Sequence, residues 1–187
     1  VRGGGTNTQI MIDAQQSASP FFAIFRPTDA SLTAFTPVVF SGPANGTPVG
    51  RSLQFGVGDT IWQKRFSSTI LSHSSFDLEA PFSAAPLIGS HTNLASTVTI
   101  VALDESRNLL GAINNLGAVG VSPYKVELYD ISNIDGPVLL SQYNFPQNKL
   151  ANADIGKVVF GGDKMFALNA QNGVVAFKIE IGALPPV

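Results

Sequence analysis

Trp62, Lys64 and Arg65 place one aromatic ring beside two cations. Strand alternation puts Trp62 and Lys64 on one face and Arg65 on the other. Such a group can stack a sugar or hold an anion such as a phosphate ester. The competing expectation is Trp62 in a core, with the Lys64 ammonium reaching out to water. Asp130, Asn133 and Asp135 form a second group, with oxygen ligands of the kind calcium takes. The plainer reading is the turn Asn133-Ile134-Asp135-Gly136-Pro137, in which each residue has a turn role. Asp104, Glu105 and Arg107 are similar, and the Asp-x-Asp-x-Asp-Gly pattern of a calcium loop is missing. His73 and His91 are the 2 histidines. A histidine pair can hold a metal or share a proton. No third ligand stands at a convincing spacing, so both read as outer-strand side chains.

Several chemistries are excluded by residue type. The chain has 0 cysteines, which removes thiolate nucleophiles, disulfides and cysteine-bound zinc. Gly3-Gly4-Gly5 and Gly56-Val57-Gly58 lack the Lys-Ser/Thr and the helix of a phosphate loop. Ser72 and His73 are neighbours on a strand and point to opposite faces, so they cannot form a nucleophile–base pair. No Gly-x-Ser-x-Gly elbow surrounds them. Net charge is −2 and the basic residues are scattered, which does not suit a phosphate backbone. No apolar run approaches the roughly 20 residues of a spanning helix.

The elements that must position these side chains are strands. Hydrophobic residues make up 44% and charged residues 13% of the 187. The polar surface therefore falls to Thr, Ser, Asn and Gln, which suit strands and turns better than helices. Short apolar runs alternate with Gly, Pro, Asn and Asp clusters, and sustained helical spacing is missing. Leu53-Gln54-Phe55-Gly56-Val57-Gly58-Asp59-Thr60-Ile61-Trp62 repeats as Val158-Val159-Phe160-Gly161-Gly162-Asp163-Lys164-Met165-Phe166. Each is a strand, a Gly-Asp turn and a second strand. Thr99 to Leu110 is a looser third copy with the longer loop Asp104 to Asn108.

One or two further strands follow each copy, giving units of approximately 1–48, 49–95, 96–150 and 151–187 in a single repeat domain. That spacing suits propeller blades, which run about 40–50 residues with four strands each. The expected fold is all-β, a β-propeller of about four antiparallel blades forming an incomplete arc of a six- to eight-bladed ring. The first unit is expected to lack its innermost strand. The fourth is expected to be one strand short, because Pro185 and Pro186 stop further pairing. Val1 in place of Met suggests a removed leader or a piece of a longer protein.

Arg2-Gly3-Gly4-Gly5-Thr6-Asn7-Thr8-Gln9-Ile10, Phe35-Thr36-Pro37-Val38-Val39 and Val126-Glu127-Leu128-Tyr129-Asp130-Ile131-Ser132 resemble a poorly characterised group of secreted bacterial β-propeller repeat proteins. The resemblance covers the whole chain and corresponds to the C-terminal half of that group's propeller. It implies the fold and export, and carries no catalytic residues over. The expected function is a non-catalytic binding or structural interaction module, secreted or at the cell surface. The alternative is a propeller hydrolase of phosphatase or lactonase type, with calcium as the possible cofactor. Expected partners are a second propeller half (a homodimer or the upstream part of a parent chain), and a glycan or surface protein. Neither nucleic acid nor a membrane span is expected.

Overall fold

The structure is a computed structural model describing residues 3, 7–14, 21–41, 52–64, 69–79, 87–115, 118–149 and 156–180. Fourteen strands and no α-helix occur among the described residues. Four antiparallel sheets follow one another along the chain. The first is β1 (Ile10–Ala14), β2 (Phe21–Pro27) and β3 (Phe35–Ser41). The second is β4 (Ser52–Phe55), β5 (Thr60–Lys64), β6 (Leu71–Ser75) and β7 (Leu87–His91). The third is β8 (Val98–Asp104), β9 (Leu109–Asn114), β10 (Pro123–Asp130) and β11 (Val138–Asn148). The fourth is β12 (Gly156–Gly161), β13 (Lys164–Asn169) and β14 (Gly173–Lys178). Within each sheet, strands pair in chain order, as a meander of hairpins requires.

The chain divides into two compact units, Val1–Ser96 and Thr97–Val187. In the first unit Ile24 and Val38 of sheet one meet Ile61 of sheet two and Phe76 beyond it. In the second unit Ile100, Ile113, Val126 and Phe145 of sheet three meet Val158, Met165 and Ala167 of sheet four. Each unit is thus two sheets packed face to face on their alternating apolar residues. The first strands of neighbouring sheets lie side by side: β1 beside β4, and β12 beside β8.

Sheets one and four have three strands each among the described residues, and β1 occupies the first-strand position that β4 holds in the second sheet.

The repeated turn has one backbone signature. Gly58 (φ 63°), Asn108 (φ 54°) and Gly162 (φ 58°) all adopt the left-handed conformation between the first and second strands of their sheets. Glycine does so freely and asparagine more easily than most residues. A second tie recurs with it. The N–H of Phe76 donates to Asp59 O at 2.9 Å, Ile131 to Asn108 O at 2.8 Å, and Ile179 to Asp163 O at 2.7 Å. The end of the third strand is thereby fastened to the first turn, so the longer Asp104–Asn108 loop is a variant of the same device.

Gly111 of β9 lets sheets three and four approach. A Cβ there would lie 2.5 Å from Met165 Sδ and 2.9 Å from Val158 Cγ1. Gly111→Val is expected to overpack this core and destabilise the protein by about 1–3 kcal/mol. Urea unfolding measures this, and an unchanged midpoint would show that the sheets are not packed so closely.

Candidate functional site

Strand β5 carries Trp62 and Lys64 on one face, as alternation requires, and buries both. Arg65 lies outside the described residues. Trp62 is 7% exposed, and its ring stacks on His73 at 4.0 Å between centroids and 4° between planes. His91 is tilted beside the same ring at 5.8 Å. The register explains the stack, because Trp62 and His73 are direct cross-strand partners on β5 and β6. Gly56 makes room for it: a Cβ there would approach the indole Cδ1 and Nε1 to 3.1 Å. The three sequence candidates Trp62, His73 and His91 are therefore brought together, as a packed aromatic group.

Lys64 departs from the expectation of an ammonium reaching water. The whole residue is 0% exposed, and burial lowers its pKa to about 8. The folded value lies below the unfolded one, so the folded protein binds this proton less readily. The penalty on folding is complete below about pH 8 and fades as pH rises toward the ordinary lysine value. Lys64→Met removes the titrating group. It should therefore flatten the rise of stability above pH 8. Chemical unfolding of both proteins at neutral and alkaline pH is the check; an equal rise in both would show that Lys64 does not titrate in this range.

The acidic groups of the turns are engaged locally. Asp130 ends β10, and its Oδ1 accepts the Ser132 N–H at 2.7 Å. That backbone bond holds its carboxyl below the usual range. Asn133 Oδ1 accepts the Asp135 N–H at 3.2 Å, and Asn133 O accepts the Gly136 N–H at 3.0 Å. The first is an Asx-turn bond and the second is the i→i+3 backbone bond of a β-turn. In the β8–β9 loop Asp104 Oδ2 accepts from Arg107 Nε and Nη2, each at 2.6 Å, and Oδ1 accepts from the Ser106 hydroxyl. Burial pushes the Asp104 carboxyl up, but these donors outweigh it and hold the carboxyl below its ordinary value. Among the described residues no three His, Cys, Asp or Glu side chains are placed to hold a metal ion.

A buried polar group escapes the sequence reading. Glu127 of β10 is 5% exposed. Its carboxylate accepts from Asn114 Nδ2 at 2.9 and 3.1 Å, and from the Tyr129 hydroxyl at 2.6 Å. Burial, followed by these carboxylate interactions, raises the Tyr129 pKa.

The second unit also holds a cleft of about 760 Å³, between sheets three and four. Its floor is apolar, with Val126 and Met165. Tyr143 of β11 and Phe177 of β14 form its walls, edge to face at 5.4 Å. Tyr143 is held against Phe145 as well and remains 40% exposed. β11 carries a bulge there. Leu128 pairs with Ser141 and Tyr129 with Leu139, which leaves Leu140 as the extra residue in the wall. Bulges re-aim side chains and are frequent beside binding sites. Around the rim stand Arg107 and Lys178, Asp130 and Glu180. Arg107 is tied to Asp104 and lies 5.7 Å from the Phe160 ring; Lys178 donates to Glu180 at 2.8 Å. Of these residues the sequence singles out Arg107 and Asp130, as turn residues with calcium binding as the alternative. Tyr143, Phe177 and Leu140 carry no motif.

No family model matches the sequence, and no curated protein does. Solved structures do match in shape. One is a protein of Bacteroides fragilis NCTC 9343 named "putative 6-phosphogluconolactonase": TM-score 0.52, 10% identity, 97% of this chain and 51% of that one. A Bacteroides uniformis ATCC 8492 protein of the same name has TM-score 0.48, 14% identity, 90% of this chain and 52% of that one. The computationally designed Ika4 protein has TM-score 0.47, 10% identity, 91% of this chain and 86% of that one. The chain spans about half the length of the two Bacteroides proteins. At these identities the likeness concerns the fold alone. It is an all-β, propeller-like fold built from four antiparallel sheets of three or four strands.

Proposed function

We propose that this chain is a non-catalytic binding module of a secreted or cell-surface protein, with its ligand in the cleft between sheets three and four. The cleft itself carries the reading. Its volume falls within the roughly 300–1,000 Å³ of small-molecule sites, and it combines an apolar floor with a few polar groups. Acid–base catalysis needs a group whose pKa lies near the working pH. The rim carboxylate Asp130 is instead held low by the Ser132 N–H, and Glu180 is bonded to Lys178. The arrangement favours holding a ligand over transforming it.

A lactone hydrolase is the second reading, supported by the name of the Bacteroides fragilis structure. The two separate in one assay. Ring opening of 6-phosphogluconolactone is followed with and without the protein. Binding without turnover is the expected result; saturable turnover above the spontaneous rate would replace the first reading by the second. The half-length likeness also supports a partner that completes a larger ring. Light scattering is then expected to give a mass above the 19.6 kDa of one chain. A strict monomer would count against that partner being a second copy.

A further inference from the structure

We infer that the cleft takes a neutral saccharide and discriminates against phosphorylated sugars. This rests on the binding-module reading above and goes beyond it in naming the ligand class. The first observation is the charge balance. Two cations, Arg107 and Lys178, and two carboxylates, Asp130 and Glu180, line the cleft. Each cation already has a carboxylate: Arg107 has Asp104 at 2.6 Å and Lys178 has Glu180 at 2.8 Å. A phosphate entering here would have to displace one of these carboxylates and would also meet Asp130. Recognition of anions needs donors directed at the ligand, preferably a bidentate guanidinium, and the Arg107 Nε and Nη2 are committed to Asp104.

The second observation is the wall. Tyr143 presents a partly exposed ring whose orientation is fixed by edge contacts with Phe145 and Phe177. A sugar ring has an apolar C–H face and a rim of hydroxyls. The aromatic wall and apolar floor suit the first. The rim suits the second, because carboxylates accept and ammonium or guanidinium groups donate to hydroxyls without needing a countercharge. The Leu140 bulge interrupts the regular pleat of this wall three residues before Tyr143.

The test is calorimetric titration of the full chain with neutral hexose and N-acetylhexosamine di- and trisaccharides, alongside glucose 6-phosphate and 6-phosphogluconate. At least one neutral saccharide is expected to bind, with an affinity insensitive to salt because no net charge is exchanged. Tyr143→Ala should weaken that binding about tenfold, and Tyr143→Phe should retain most of it. Circular dichroism confirms that both variants fold. Tighter binding of the phosphorylated sugars, or equal binding by Tyr143→Ala, would overturn the inference and leave the binding module standing. A non-saccharide ligand that binds in the cleft where no saccharide does would have the same effect. If no ligand of any class engages the cleft, both fail together.

Discussion

Replacing Glu127 by alanine is expected to destabilise the protein by about 3–5 kcal/mol, through two charge-assisted hydrogen bonds and the polar groups they leave behind. In the wild type one carboxylate satisfies both the Asn114 amide and the Tyr129 hydroxyl inside sheet three. Alanine removes that acceptor from the buried Asn114 amide and the half-buried Tyr129 hydroxyl. Glu127→Gln is the informative control. An amide oxygen serves one donor while its NH₂ confronts the other, so a smaller loss of about 1–2 kcal/mol is expected. A pH signature accompanies the network. The folded-state pKa of Tyr129 is raised, chiefly by burial and then by Glu127. A raised folded value means its contribution is complete below the unfolded pKa of about 10 and is lost as pH climbs beyond it. The stability difference between wild type and Tyr129→Phe should therefore be constant at neutral pH and shrink in strong alkali. Urea unfolding across that range reads both effects. A Glu127→Ala protein as stable as wild type would show that the three side chains do not act together.

Trp62→Ala is expected to have an effect of similar size, about 3–5 kcal/mol, the usual range for deleting a buried aromatic. The ring is stacked on His73, flanked by His91 and fitted against the Gly56 backbone, so little can collapse into the space it leaves. A fall in Tm on the order of 10 °C follows. Thermal unfolding by circular dichroism measures it, and Trp62→Phe should recover part of the loss. The wild type offers an independent reading, because the chain has a single tryptophan. Its emission should be that of a shielded indole and resist soluble quenchers. A loss below about 1 kcal/mol, or a readily quenched indole, would return Trp62 to the role of an exposed ligand platform.

Much of the architecture is legible in the sequence because local signals agree with the fold. Phe35–Ser41 is bounded by turn residues and forms β3 with the same limits. Gly58 and Gly162 stand where the turn needs a left-handed residue, and Asn108 does the same in the loop that looked irregular. The candidate site is legible only in fragments, for three physical reasons. Alternation tells which residues share a face but not whether that face meets water. Val126-Glu127-Leu128-Tyr129 reads as one apolar and one solvated face, whereas both Val126 and Glu127 are buried. Lys64 misleads in the same way. Second, a cleft wall is made by register between distant strands. Tyr143 and Phe177 meet only because sheets three and four pack together. Third, a bulge is a mismatch between two strands, invisible in either alone. The unbroken apolar run Val138-Leu139-Leu140 is the one local hint of it.

The cleft of the second unit is expected to bind a ligand, and amide chemical-shift mapping of the ¹⁵N-labelled full chain reads this residue by residue. The protein is titrated with neutral saccharides, phosphorylated sugars and short peptides in turn. At least one ligand is predicted to move the amides of Leu140, Tyr143 and Phe177 together and saturably, while those around Trp62 and His73 stay in place. Titrations that leave these three amides unmoved, or that shift the Trp62 group in their stead, would contradict it.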